Sequence, residues 1–156
     1  MMNKEQTYKN VLGSIELLIE NEDDLISVMS TITCELFHAF DHFNWVGFYR
    51  LVNENTLKVG PFQRTQGCLT INIEKGACGK CARENEMQIE NDVSKIPYHI
   101  VCSNETQSEI VIPIDDENNK VRAVLDINST EIDSFGEIDK KYLKYICDKV
   151  NISGNH

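Results

Sequence analysis

The sequence predicts an α+β domain in which a central antiparallel sheet carries helices on one face. Three observations predict it. Apolar residues recur at spacings of three and four from about residue 4 to residue 40, β-rich segments bounded by turn residues fill the middle, and helical spacing returns near the end.

Val11, Ile15, Leu18 and Ile19, followed by Leu25, Val28, Met29, Ile32 and Leu36, each form one stripe, so two amphipathic helices are expected with a break near 21–24. FNWVGFYR (43–50) and TLKVGPF (56–62) flank the polar VNEN, the pattern of an antiparallel hairpin. LTINI is a further short strand-like segment, and GACGKCARE (76–84) is expected to form a short helix opening at Gly76. SEIVIPI (108–114) and VRAVLDIN (121–128) read as two strands joined by the turn-rich DDENN. Ser134 and Glu137 have capping-box spacing ahead of Ile138, Tyr142, Leu143, Ile146 and Val150, which predicts a terminal helix. No repeat, low-complexity tract or linker divides the 156 residues, so one domain is expected: helices over 1–41, sheet and loops over 42–129, and a last helix over 134–151.

With 41% hydrophobic and 26% charged residues the chain has the composition of a globular protein. Lys and Arg number 15 against 25 Asp and Glu, a formal charge of −10, and a field of that sign repels phosphates and disfavours nucleic-acid binding. No apolar run is long enough for a membrane helix, and MMNKEQTYKN lacks the apolar stretch of a signal peptide. A cytoplasmic location is the expectation. Six cysteines are many for a reducing compartment, which points to thiol chemistry or metal binding.

Alternation assigns the faces within each strand. Ile110, Ile112 and Ile114 lie opposite Glu109 and Val111; Val121, Ala123, Leu125 and Ile127 lie opposite Asp126 and Asn128; Trp45 and Tyr49 lie opposite Val46 and Phe48. If the polar and aromatic faces coincide in the sheet, they line one pocket. Cys34 and Cys147 fall within the amphipathic helices and are expected to be buried packing residues. Cys78 lies near a helix start, which favours thiolate, while Cys68 and Cys102 lie in other segments. His99, three residues before Cys102, is expected to tune that thiol or to position its loop.

NWVGFYRL, VGPFQ, the Cys68 segment, GACG, NDV, IP-x-HIVCS, SEIVIPI and VLDIN, in this order over about residues 43–129, resemble the free methionine-(R)-sulfoxide reductases, which are built on a single GAF domain. The resemblance implies a GAF-like fold with the active-site pocket on the face away from the terminal helices. It implies Cys102 as nucleophile, Cys68 as the cysteine that closes a disulfide with it, and Cys78 as an alternative resolving partner. Trp45 and Tyr49 match the aromatic wall around the substrate methyl group, and Glu109 and Asp126 match carboxylates holding its polar end. Sulfoxide oxygen would pass to Cys102 as sulfenic acid, and thioredoxin would reduce the resulting disulfide. No metal and no cofactor is expected.

The chain departs from the pattern in places. Asn128 stands where the family usually has a second aspartate, so it is expected to bind substrate without donating a proton as an acid does. Arg64 and Tyr98 replace usual glycines, and Cys81 is an extra thiol. A non-catalytic GAF sensor of a small molecule or of redox state is the alternative function. A structural zinc site of Cys68, Cys78, Cys81 and Cys102, prompted by the C-x-x-C at 78–81, is a third reading. Homodimerisation through the helices is left open.

Overall fold

The computed structural model describes residues 2–96 and 105–153, with side chains as far as residue 150. Cys102, Tyr98 and His99 lie outside the described residues.

Two helices open the chain, α1 (Lys4–Leu18) and α2 (Leu25–Ala39), with the expected break between them. Asn3 and Asp24 begin them, their side chains accepting the backbone N–H groups of Gln6 and Ser27, each at 2.8 Å. Strands β1 (Phe43–Asn53), β2 (Thr56–Gln63) and β3 (Thr70–Asn72) precede the short helix α3 (Gly76–Glu84). Then come β4 (Gln88–Glu90), a 3-10 turn at Val93–Lys95, β5 (Ser108–Asp115), β6 (Val121–Ser129) and α4 (Glu137–Ser153). The strands form one antiparallel sheet in the order β3-β2-β1-β6-β5-β4.

The predicted faces hold except at Val121. Helices α2 and α4 bury Val28, Ile32, Leu36, Leu143 and Ile146 against Val46, Phe48, Ile110, Ile112, Ile114, Ala123, Leu125 and Ile127 of the sheet, and α1 packs on these two helices. On the opposite face α3 covers a smaller cluster that contains Trp45, Tyr49, Val111 and Val124. The ends of the chain are tied together by Asp139, which is buried and accepts from the Tyr8 hydroxyl (2.6 Å), the Lys4 ammonium (2.9 Å) and the Gly136 N–H (2.9 Å). A buried carboxylate satisfied by three donors is stable where an unpaired one would be costly.

Four expectations need correction. Val121 packs on the α3 face and not beside Ala123, because a register shift after Ile114 pairs Asp115 with Val121 and leaves Arg122 as the extra residue of a bulge. The bulge aims Arg122 at the end of α4, where its guanidinium donates to the Val150 carbonyl at 2.7 Å. Ser134 does not cap α4: its hydroxyl bonds Ser129 and the Glu131 carbonyl, and Gly136 precedes the helix, its carbonyl accepting the Lys140 N–H. Strand β4 was not expected, since three residues carry too little alternation to be read. Cys34 is only half-buried, with its sulfur 3.8 Å from His38 Nδ1, whereas Cys147 is buried as expected.

Candidate functional site

Register converts the separate strand faces into one surface. Trp45 of β1 pairs with Asn128 of β6, Asn128 pairs with Glu109 of β5, and Glu109 pairs with Glu90 of β4. Paired residues share a face, so these four side chains form one row across the sheet. In the next row Gly47 pairs with Asp126, and Asp126 with Val111. Trp45, Tyr49, Glu109, Asp126 and Asn128, together with Cys78 from α3, line a single pocket.

Gly47 makes the aromatic wall possible. A Cβ on it would overlap the Trp45 indole and lie 2.7 Å from Phe62 Cβ. The bare backbone lets Trp45 lie flat, stacked 5.7 Å from Tyr49 and 5.6 Å from Phe62. The polar tips of the wall point outward to the loop after β2: the indole N–H donates to the Thr65 carbonyl at 2.9 Å, and the Tyr49 hydroxyl to the Cys68 carbonyl at 3.0 Å. These two bonds hold the loop bearing Cys68 over the edge of the pocket. Arg64, at the start of that loop, has φ 94, a conformation glycine adopts without strain, and its guanidinium reaches Glu105 at 3.4 Å.

The floor is acidic and dry. Glu109 and Asp126 are 7% and 5% exposed, and Cys78 is 4% exposed. Burial, followed by the neighbouring Asp126, pushes the Glu109 carboxyl well above the usual carboxylate range. Asp126 is raised to about 6, chiefly by burial and against hydrogen bonds from Glu109, Cys78 and Asn128 that favour its anion. The pair therefore shares a proton, with Glu109 the protonated partner. Asp126 Oδ1 is buried with no hydrogen-bond partner. Burial, helped by Asp126 and Glu109, also pushes the Cys78 thiol up, so this cysteine is held as a thiol despite its place at a helix start.

Cys68 is disulfide-bonded. Cys81 is fully buried beneath α3, its thiol pushed up by burial, and it does not line the pocket. Ligand atoms of Cys78, Glu109 and Asp126 lie within 4.8 Å of one another, the closest approach to a metal-ligand set among the described residues. The zinc grouping built on the C-x-x-C loses Cys81, which lies outside that set, and Cys68, whose sulfur is engaged in a disulfide. Sequence reasoning missed Thr65, Gln66, Gly67, Lys75 and Thr106, which also line the pocket. Only Gly47, a glycine inside a strand between two aromatics, carried a readable signal of the close approach around it.

Comparison with known proteins gives a consistent result. No family model matches the chain. A free methionine-R-sulfoxide reductase of Saccharomyces cerevisiae is 37% identical over 97% of this chain and 88% of its own length. The reduced form of the Staphylococcus aureus fRMsr superposes with a TM-score of 0.88 at 36% identity, over 94% of each chain. The Neisseria meningitidis free methionine-R-sulfoxide reductase, solved in complex with its substrate, superposes with a TM-score of 0.91 at 30% identity, covering 98% of this chain and 91% of that one.

Proposed function

From the premise that this chain belongs to the free methionine-R-sulfoxide reductase family, we propose that it reduces free methionine-(R)-sulfoxide to methionine with Cys102 as nucleophile and Cys68 as resolving cysteine. The observation that carries the reading is the pocket itself, in which a protonated Glu109 and its partner Asp126 stand across the sheet from the Trp45 and Tyr49 wall. A methyl sulfoxide fits the aromatic faces, and a buried carboxylic acid is suited to hydrogen-bond and protonate a sulfoxide oxygen. Asn128, beside Glu109, adds a neutral hydrogen-bonding group and no third negative charge.

The steps balance as follows. The Cys102 sulfur bonds to the sulfoxide sulfur as Glu109 protonates the sulfoxide oxygen and takes up the thiol proton in exchange; the hydroxyl then passes to the Cys102 sulfur as the new sulfur–sulfur bond and the sulfoxide sulfur–oxygen bond break. Methionine and a sulfenic acid result. The Cys68 thiol then condenses with the sulfenic acid, releasing water and forming a disulfide, which an external dithiol of the thioredoxin class reduces. The disulfide-bonded state of Cys68 supports the resolving role. The buried, protonated Cys78 argues against its competing for that role and in favour of its closing the pocket floor.

Turnover of the separate R and S epimers with dithiothreitol or thioredoxin tests the reading. The wild type is expected to form methionine from the R epimer through many cycles, and Cys102→Ser to form none. Full activity in that variant rejects the nucleophile, and a single cycle of oxidation without methionine release in the wild type favours a redox sensor.

A further inference from the structure

We infer that Cys78, Glu109 and Asp126 form a site for one thiophilic divalent cation of the zinc class, which binds in the pocket as an inhibitor; the binding stands apart from the proposed function, and the inhibition rests on it. One sulfur and two carboxylates arrive from three separate elements, α3, β5 and β6, and their ligand atoms lie within 4.8 Å of one another. Ligands around a tetrahedral zinc, at about 2.3 Å for sulfur and about 2.1 Å for oxygen, stand roughly 3.5 Å apart, so small side-chain rotations close the set. All three residues are more than nine-tenths buried, which shields such a cation from competing water.

A second observation asks for positive charge there. Asp126 Oδ1 is buried with no hydrogen-bond partner, although its carboxylate is hydrogen-bonded by Glu109, Cys78 and Asn128. An unmet buried acceptor is costly, and a cation within reach removes the cost. The protons that Glu109 and Cys78 direct at Asp126 occupy the centre of the set. Replacing both of them by one divalent cation releases the protons to water and leaves a thiolate and two carboxylates as ligands. The net charge of the set is unchanged, so the exchange buries no additional charge. Sulfur decides which cation enters: a thiolate favours zinc, cadmium or cobalt over magnesium and calcium, which take sets of oxygen ligands. Three protein ligands leave a fourth position to water. A cation held there displaces the Glu109 proton that the proposed reaction uses.

Cobalt(II) titration of the oxidised protein reads the site without turnover, since Cys68 is then disulfide-bonded and its thiol does not compete. One equivalent is expected to raise a thiolate-to-cobalt charge-transfer band, which one equivalent of zinc discharges and excess magnesium does not. Cys78→Ser should lose the band. Glu109→Gln and Asp126→Asn keep the sulfur and should weaken binding by about a hundredfold, a loss that even an outer partner of a metal ligand can cause. Cys34→Ser should keep the band, although Cys34 and His38, 3.8 Å apart on α2, are a rival pair. No band in the wild type, a band that survives Cys78→Ser, or one lost in Cys34→Ser overturns the site. Saturating methionine-(R)-sulfoxide should discharge the band, because substrate and cation need the same groups, and an undisturbed band overturns the inhibition. Cobalt binding by a protein that turns over no sulfoxide would reject the reductase reading and leave the site standing, while turnover without cobalt binding does the reverse.

Discussion

The two faces of the sheet are made by alternate residues of the same strands, yet they obey different rules. On the helix face Val46, Phe48, Ile110, Leu125 and Ile127 are all fully buried and wholly apolar, and their interdigitation with α2 and α4 is the main source of cohesion. On the pocket face their immediate neighbours Trp45, Glu109 and Asp126 are nearly as well buried, but two of them are acids that ionise only at a cost. Cohesion resides on one face and the candidate site on the other, because burial without a partner is tolerated only where it does something to a proton or a ligand.

That contrast can be broken most forcefully from the helix side. Phe48→Ala should cost about 3–5 kcal/mol in urea unfolding, the range for emptying a closed core site, and should lower activity only in proportion to the unfolded fraction. Loss of turnover at temperatures where the variant remains folded would show that the faces are not separable.

Asp126→Asn tests the other side and has the opposite sign. The folded state holds the Asp126 proton up to about pH 6, against an ordinary value of 3.8, so between these limits the folded protein binds a proton that the unfolded chain has released. Stability from this group is present in full below the lower value and is lost as pH rises through about 6. The asparagine variant is therefore expected to melt a few degrees above the wild type at pH 8, with the difference closing towards pH 4, while its turnover falls. A melting temperature below that of the wild type at pH 8 would mean that the acid is a net stabiliser there.

The smallest effect belongs to the loop between the faces. Arg64→Gly removes a strained φ of 94 and an exposed ion pair worth little, for a net gain of about 1 kcal/mol in the urea midpoint analysis. A net loss would assign the Arg64–Glu105 contact a larger part in holding the Cys68 loop than its exposure suggests.

How much was readable follows from the length scale of each signal. The stripes of α1 and α2 and the alternation of β1, β5 and β6 repeat often enough to reveal both element and face, and Glu109, Asp126, Trp45 and Tyr49 were assigned on that basis and on the family resemblance. Val121 escaped because a bulge adds one residue and inverts everything beyond it, and β4 escaped because three residues have no period. Cys34 and Cys147 both sit in helices with apolar stripes, but only a placed helix reveals how far each lies from the centre of its stripe.

Local order in the chain thus determined most of the elements and their buried sides, because backbone geometry ties those properties to spacing, while the family resemblance supplied the candidate redox and acid groups. Tertiary structure alone decided that Trp45, Asn128 and Glu109 stand in one row, that Asp126 has an unmet oxygen, and that Cys78 is held as a thiol beside them. Alternation fixes a side within a strand but says nothing of the register between strands, and proton affinity depends on neighbours and water that only the assembled pocket supplies.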